Sequence, residues 1–236
     1  MTFVPNRRSI RQPLLNAPPI VLWLIAALIA CHVIRIWLPG ELPDTILERF
    51  AFIPARYTQW LAHGVVPGGW PELIVPLLSY MLLHADYAHV GINSLWLLVF
   101  GPAVARWLGI RRFLVFFVFC GIAAALFHMA VYWGSPVAVI GASGAISGLM
   151  AAGMRILYGQ AYERADGLAP ILSRPIVMFS LVWTGVNIVS GVLRIGVTGD
   201  VSLVAWVAHL GGYFTGLLTI GMFNLRASAR LPWMPR

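Results

Sequence analysis

The sequence predicts an all-α, polytopic membrane protein built as a bundle of six transmembrane helices. Of its 236 residues, 60% are hydrophobic and only 10% are charged, whereas a soluble domain carries about a quarter charged residues. The mean hydropathy is +0.83. Six stretches between successive charged side chains are long enough to cross a hydrocarbon core, which takes about 20 residues per helix. These observations exclude an ordinary soluble domain.

The six predicted spans follow one another with short connections after the first loop. The uncharged run 113–154 is too long for one helix, and Trp133-Gly134-Ser135-Pro136 interrupts it as a turn, so it is divided into the third and fourth spans. We interpret the first span as an uncleaved helix and not a signal peptide, because it lacks a clean small-residue cleavage site. The first span is centred on 20–34, and the second covers 87–105. The third and fourth share 113–154, the fifth covers 175–193, and the sixth covers 201–225.

These spans predict one membrane domain over residues 18–225. A polar cytoplasmic arm, 1–17, precedes it, and a cytoplasmic tail, 226–236, follows it. The first loop, 39–83, mixes four acidic residues with aromatic and aliphatic ones, a composition typical of a segment lying at the membrane interface.

The net charge of +8 predicts the membrane topology and gives no reason to expect a nucleic-acid partner. All sixteen basic residues are arginines, and basic residues near transmembrane helices collect on the cytoplasmic side. With both termini in the cytoplasm, twelve arginines lie inside and four lie outside. The lysine-free composition fits a GC-rich genome, so we expect a bacterial inner membrane.

Ser143 is a candidate nucleophile at the start of the fourth span. Gly141 and Gly144 flank it, which leaves its Oγ uncrowded and lets neighbouring backbone N–H groups face one point, as an oxyanion site needs. The alternative function of this motif is helix packing. Gly144 and Gly148 are four residues apart, and small residues at that spacing let helices approach closely in lipid.

His209 is a candidate general base in the sixth span. Gly212 and Gly216 follow it four residues apart, so a close helix crossing on that face would carry His209 towards the partner helix. If the partner is the fourth span, His209 meets Ser143. The alternative is a histidine that only hydrogen-bonds between helices. No acidic residue lies in the fourth span or beside His209 in the sixth, so packing or an uncharged neighbour would hold the imidazole.

His89 and Asn93 are candidate donors at the entry of the second span. They are four residues apart and therefore share one helical face, from which two donors can stabilise a developing oxyanion. For His84 we favour a structural hydrogen bond that holds the first loop. A zinc site of His84, His89 and His209 is disfavoured, because no His-Glu-x-x-His pattern occurs and no acidic partner supplies a base. We expect no metal and no cofactor.

Taken in order, these motifs resemble the rhomboid family of intramembrane serine proteases over about residues 50–216. The resemblance is carried by His84, His89 and Asn93, by Gly141-x-Ser143-Gly144, and by His209-x-x-Gly212-x-x-x-Gly216.

The resemblance implies a rhomboid-like six-helix core and peptide-bond hydrolysis by a Ser-His dyad. Ser143 would be the nucleophile, His209 the general base, and Asn93, His89 and the Ser143 backbone N–H the oxyanion hole. The implied partners are transmembrane protein substrates and membrane lipid, with no nucleic acid. The oligomeric state is left open.

Three motifs depart from the usual pattern of the family. Val75-Pro76 replaces a common Trp-Arg in the first loop, and Ala105 replaces a glutamate near the end of the second span. Ser147 stands where a tyrosine commonly stacks under the histidine, so the sequence does not indicate what orients His209.

Two other classes of function remain as alternatives. One is a rhomboid-like pseudoprotease that binds transmembrane segments without cutting them. The other is a transporter or channel, which would spread polar residues over several spans, whereas here they converge on one outer-side site.

The predicted topology can be tested by cysteine accessibility in intact cells. A cysteine placed at Ser135, in a chain whose Cys31 and Cys120 are replaced, should react with an impermeant reagent from outside, because the turn carries no charge while Arg111 and Arg112 mark the preceding loop as cytoplasmic. Labelling only from the cytoplasm would overturn the topology.

Overall fold

The computed structural model describes residues 17–65, 68–162, 164, 166–193 and 205–223. Most of the predicted N-terminal arm, both ends of the predicted sixth span and the predicted tail, 226–236, lie outside the described residues.

The all-α prediction is confirmed for this part of the chain, in which the only β-pairing is an isolated bridge. The α-helices are α1 (Pro19–Ile36), α2 (Leu42–Phe50), α3 (Pro54–His63), α4 (Pro71–Ile74), α5 (Pro76–Ser79), α6 (Tyr87–Leu108), α7 (Ile110–Val131), α8 (Ser143–Gly159), α9 (Arg174–Val192) and α10 (Ala205–Thr219).

Four helices in the described residues, α1, α6, α7 and α9, are long and apolar enough to cross a membrane. The helices at the predicted fourth and sixth spans, α8 and α10, have 17 and 15 residues. The count of six spans therefore stays a prediction.

Local chemistry explains where α6 begins and ends. The Asp86 carboxylate accepts the N–H of His89 at 2.8 Å and so caps the first turn of α6. Gly109, at φ 77°, ends α6 and leads directly into α7, because glycine adopts positive φ at little cost. The break predicted near Trp133–Pro136 is confirmed, since α7 ends at Val131 and α8 begins at Ser143.

Helix α8 lies at the centre of the bundle and packs against α6, α7 and α10. Twelve of its 17 residues are buried, so it is surrounded by protein on nearly every side. Most of them are glycine, alanine or serine, and small side chains let neighbouring backbones come close when lipid supplies no hydrophobic drive between helices.

The closest of these approaches is between α8 and α10. A Cβ added at Gly212 would overlap the carbonyl oxygen of Gly144, and one added at Gly216 would overlap that of Gly148. On the side of α8 that faces α7, a Cβ added at Gly148 would lie 2.5 Å from the Cys120 sulfur. The paired glycines therefore allow contact between the backbones of the two helices.

The first loop is held to the segment that leads into α8. Phe52 and Val139 form the isolated antiparallel bridge, with N···O distances of 3.1 and 2.8 Å. The N–H of Ala55 also donates to the Ser135 carbonyl, at an N···O distance of 2.9 Å. Phe52 is fully buried and Tyr57 nearly so. The loop thus forms part of the core as well as part of the surface.

Arg155 ties the other end of α8 to its neighbours. Its Nε donates to the Ala169 carbonyl at 3.0 Å and its Nη1 to the Leu217 carbonyl of α10 at 2.8 Å. A buried guanidinium is tolerated where backbone carbonyls satisfy its donors, so Arg155 fixes the register of α8 against α10.

Substitution of Gly212 by alanine should destabilise the bundle, because the added methyl group meets a backbone carbonyl that no rotamer change can move. We expect a loss of about 1–3 kcal/mol, typical of overpacking, measured by unfolding in mixed detergent micelles.

Gly185→Ala in α9 is the matched control. Its Cβ would meet nothing within 4 Å, so the variant should be unchanged or gain up to about 1 kcal/mol from helix propensity. Equal stability of the two variants would contradict the close crossing of α8 and α10.

Candidate active site

A turn at Gly141 presents Ser143 as the first residue of α8. Gly141 has φ 111°, a conformation that side-chain-bearing residues rarely adopt. Its N–H donates to the Tyr80 carbonyl at 2.8 Å, and the buried Tyr80 hydroxyl donates to the Gly121 carbonyl of α7 at 2.7 Å. The backbone just before Ser143 is therefore fixed from two sides.

Ser143 and His209 lie within hydrogen-bond distance. The Nε2 of His209 is 2.8 Å from the Oγ of Ser143. Both side chains are partly buried, and the contact crosses the α8–α10 interface formed by the paired glycines. The two residues predicted as nucleophile and base are brought together.

The other ring nitrogen of His209 contacts Asn187 of α9. Its Nδ1 is 2.9 Å from Asn187 Oδ1, while Asn187 Nδ2 donates to the Trp183 carbonyl at 2.8 Å. The sequence had predicted packing or an uncharged neighbour for His209 without identifying the residue. The available signal is that Asn187 is the one amide side chain in the predicted fifth span, 175–193, and strongly polar groups in lipid are seldom without function.

His89 faces the turn before Ser143 with its Nε2. The Ala85 N–H points at His89 Nδ1 over a long 3.4 Å contact, which favours the tautomer with the proton on Nε2. A Cβ at Gly141 would lie only 2.8 Å from that Nε2. A larger residue at 141 would therefore fill the space into which the His89 donor points.

Asn93 lies one turn further along α6 and is 3% exposed. Its Nδ2 donates to the His89 carbonyl at 2.9 Å, which occupies one of its two amide N–H groups. The structure thus stacks Asn93 beneath His89 on one face, as their spacing predicted, and leaves one N–H for another acceptor.

His84 is fully buried and contacts α1 and His89. Its backbone carbonyl accepts from Arg35 Nη2 at 2.8 Å and lies 3.1 Å from His32 Nδ1, both on α1. Its ring meets the His89 ring edge-on at a centroid distance of 5.0 Å. These hydrogen bonds fasten α1 to the entry of α6, and the predicted hydrogen bond that holds the first loop stays a prediction.

Ser147, one turn below Ser143, is bound back to its own helix. Its Oγ donates to the Ser143 carbonyl at 2.8 Å, an i to i−4 contact common for serine in membrane helices. It therefore does not take the place of a ring stacked under His209. Within the described ranges, no group of three or more His, Cys, Asp or Glu side chains could hold a metal ion.

Comparison with known proteins places most of this chain in one family. Residues 71–225 match the model of the Rhomboid domain. The chain is 40% identical over 88 residues to a Bacillus subtilis (strain 168) protein named "Putative rhomboid protease YdcA", covering 36% of this chain and 41% of that protein. It is 29% identical over 161 residues to the "Rhomboid protease GluP" of the same organism, covering 68% of this chain and 27% of that protein.

The matches span less than half the length of either relative. The domain match covers well over half of this chain, and it includes Ser143, His209, His89 and Asn93. Together with the apolar helices, this coverage shows that the protein is an integral membrane protein and that it belongs to the rhomboid family.

Proposed function

We propose that this protein is an intramembrane serine endopeptidase that cleaves transmembrane proteins near or within the bilayer by a Ser143–His209 dyad. The observation that carries the proposal is the 2.8 Å contact between Ser143 Oγ and His209 Nε2. A serine hydroxyl is a weak nucleophile until a base at hydrogen-bond distance takes its proton. Two relatives that are named rhomboid proteases support the same activity.

In the proposed reaction Ser143 Oγ attacks the scissile carbonyl while His209 Nε2 accepts the hydroxyl proton. The tetrahedral intermediate collapses when His209 returns that proton to the leaving amine, and an acyl-enzyme remains on Ser143. His209 then removes a proton from the water molecule that attacks the ester, and it returns this proton to Ser143 Oγ as the acyl group leaves as a carboxylic acid.

The negative charge that develops on the carbonyl oxygen needs donors that are already in place. Ser143 begins α8, and the first intrahelical bond runs from Ile146 N–H to the Ala142 carbonyl. The N–H groups before Ile146 have no partner within the helix, so that of Ser143 can face the oxyanion. His89 Nε2 and the second N–H of Asn93 complete the proposed oxyanion hole.

The same proposal includes six transmembrane spans in a domain over 18–225, with both termini in the cytoplasm of a bacterium. It rests on the arginine distribution and on the bacterial source of both relatives. Substrates would be other transmembrane proteins.

Reactivity of Ser143 towards a fluorophosphonate tests the dyad. We expect a covalent adduct on Ser143, located by mass spectrometry, and none in Ser143→Ala or His209→Ala, because attack on phosphorus needs both the hydroxyl and the base.

Ser147→Ala is the control, since its hydroxyl is bound to the helix backbone, and it should keep the reactivity of the wild type. An adduct on Ser147, or labelling at Ser143 without His209, would show that the wrong pair is assigned. Labelling of no residue would favour the pseudoprotease.

Asn93→Ala should lower turnover by roughly a hundredfold with little change in KM, because the amide is proposed to act on the transition state and not on substrate docking. Steady-state kinetics on a single-span substrate gives both constants.

Ser94→Ala is the neighbouring control, as the Ser94 hydroxyl donates only to its own helix, at the Val90 carbonyl. It should retain near wild-type kinetics. A raised KM with unchanged turnover in Asn93→Ala would remove Asn93 from the oxyanion hole.

A further inference from the structure

Asn187 is an unusual residue for its position on α9. That helix faces outwards along most of its length, and its only buried residues are Ile176 and Asn187. Asn187 is 5% exposed. An amide buried in a membrane protein is unfavourable unless its donors and acceptor are satisfied, so its partners show what holds it there.

The two partners of Asn187 fix the orientation of its amide. The Trp183 backbone carbonyl can only accept, so the amide nitrogen must be the atom that faces it, at 2.8 Å. The amide oxygen is then the atom 2.9 Å from His209 Nδ1. Because that oxygen can only accept, Nδ1 must carry the proton.

The position of the proton on Nδ1 determines what Nε2 can do. A neutral imidazole carries one N–H, so a proton on Nδ1 leaves a lone pair on Nε2. That lone pair is directed at Ser143 Oγ, 2.8 Å away. In the opposite tautomer, Nε2–H would face the hydroxyl as a donor and could not accept its proton.

We propose that Asn187 is the positioning residue of the dyad, holding His209 in the tautomer and ring orientation that make Nε2 a base towards Ser143. This inference rests on the proposed function of Ser143 and His209. When Nε2 takes the serine proton, the ring becomes a cation, and the Nδ1–H to Oδ1 bond becomes charge-assisted and stronger. A neutral amide supports that charge without adding a permanent carboxylate to the membrane.

The competing explanation is that Asn187 only fastens α9 to α10. A second polar contact joins α9 to α10, where the hydroxyls of Ser180 and Tyr213 are 2.9 Å apart. Removal of the Ser180 hydroxyl therefore weakens the same interface without touching His209, and Ser180→Ala is a matched control for Asn187→Leu.

The first test compares these two variants in the full-length protein, purified in detergent and assayed on a single-span substrate. We expect Asn187→Leu to lower kcat by about 10- to 100-fold and to leave KM within twofold of wild type. Loss of the orienting partner of a metal-binding histidine has an effect of this size. Ser180→Ala should keep both constants within about twofold. Equal losses in the two variants would reduce Asn187 to an interhelical contact.

The second test observes the tautomer directly and does not depend on turnover. With ¹⁵N-labelled histidine, protonated and unprotonated ring nitrogens resonate far apart, and the His209 signals are identified by their loss in His209→Ala. Wild type and Ser180→Ala should show the proton on Nδ1, whereas Asn187→Leu should show a mixture or the opposite tautomer.

The two tests separate the inference from the function on which it rests. An unchanged tautomer in Asn187→Leu, or unchanged kcat, would overturn the role of Asn187 while leaving the dyad intact. A wild-type protein that neither cleaves a substrate nor reacts with a fluorophosphonate would instead overturn the proposed function.

Discussion

The backbones of α8 and α10 touch where Gly144 and Gly148 face Gly212 and Gly216, and no side chain fits between them. In lipid, helices do not associate by excluding water, so close van der Waals contact is the main source of attraction. The same contact sets the geometry of the proposed dyad. A wider crossing would hold His209 away from Ser143, and the 2.8 Å contact between them exists because the glycines remove the spacing that side chains impose.

A single directional chain of hydrogen bonds runs through the site from α8 to α9. In the proposed tautomer of His209, Ser143 donates to His209, His209 donates to Asn187, and Asn187 donates to the Trp183 carbonyl. In that tautomer each acceptor fixes the proton of the group before it, and every group in the chain is neutral before the reaction begins. This arrangement suits a membrane, where a permanent charge needs a partner that the sequence does not provide near His209.

Some of this architecture could be predicted from the sequence because its determinants are local. The turn between the third and fourth spans, the glycine faces and the four-residue spacing of His89 and Asn93 are all visible within short segments. Asn187 could not be assigned, because its contact with His209 depends on how α9 rotates against α10. The Phe52–Val139 bridge likewise joins residues 87 positions apart, and the hydrogen bond from Arg35 to the His84 carbonyl joins residues 49 positions apart. No local pattern in the sequence indicates such pairs.

We propose above all that this rhomboid-family protein hydrolyses peptide bonds with Ser143. The most direct measurement is incubation of the purified protein, reconstituted in lipid, with a panel of single-span substrates, comparing wild type with Ser143→Ala and identifying the products by mass spectrometry. We expect cleavage within or next to the transmembrane segment by wild type and none by the variant. Cleavage that persists in Ser143→Ala, or wild-type protein that binds the substrates and leaves them intact, would contradict it.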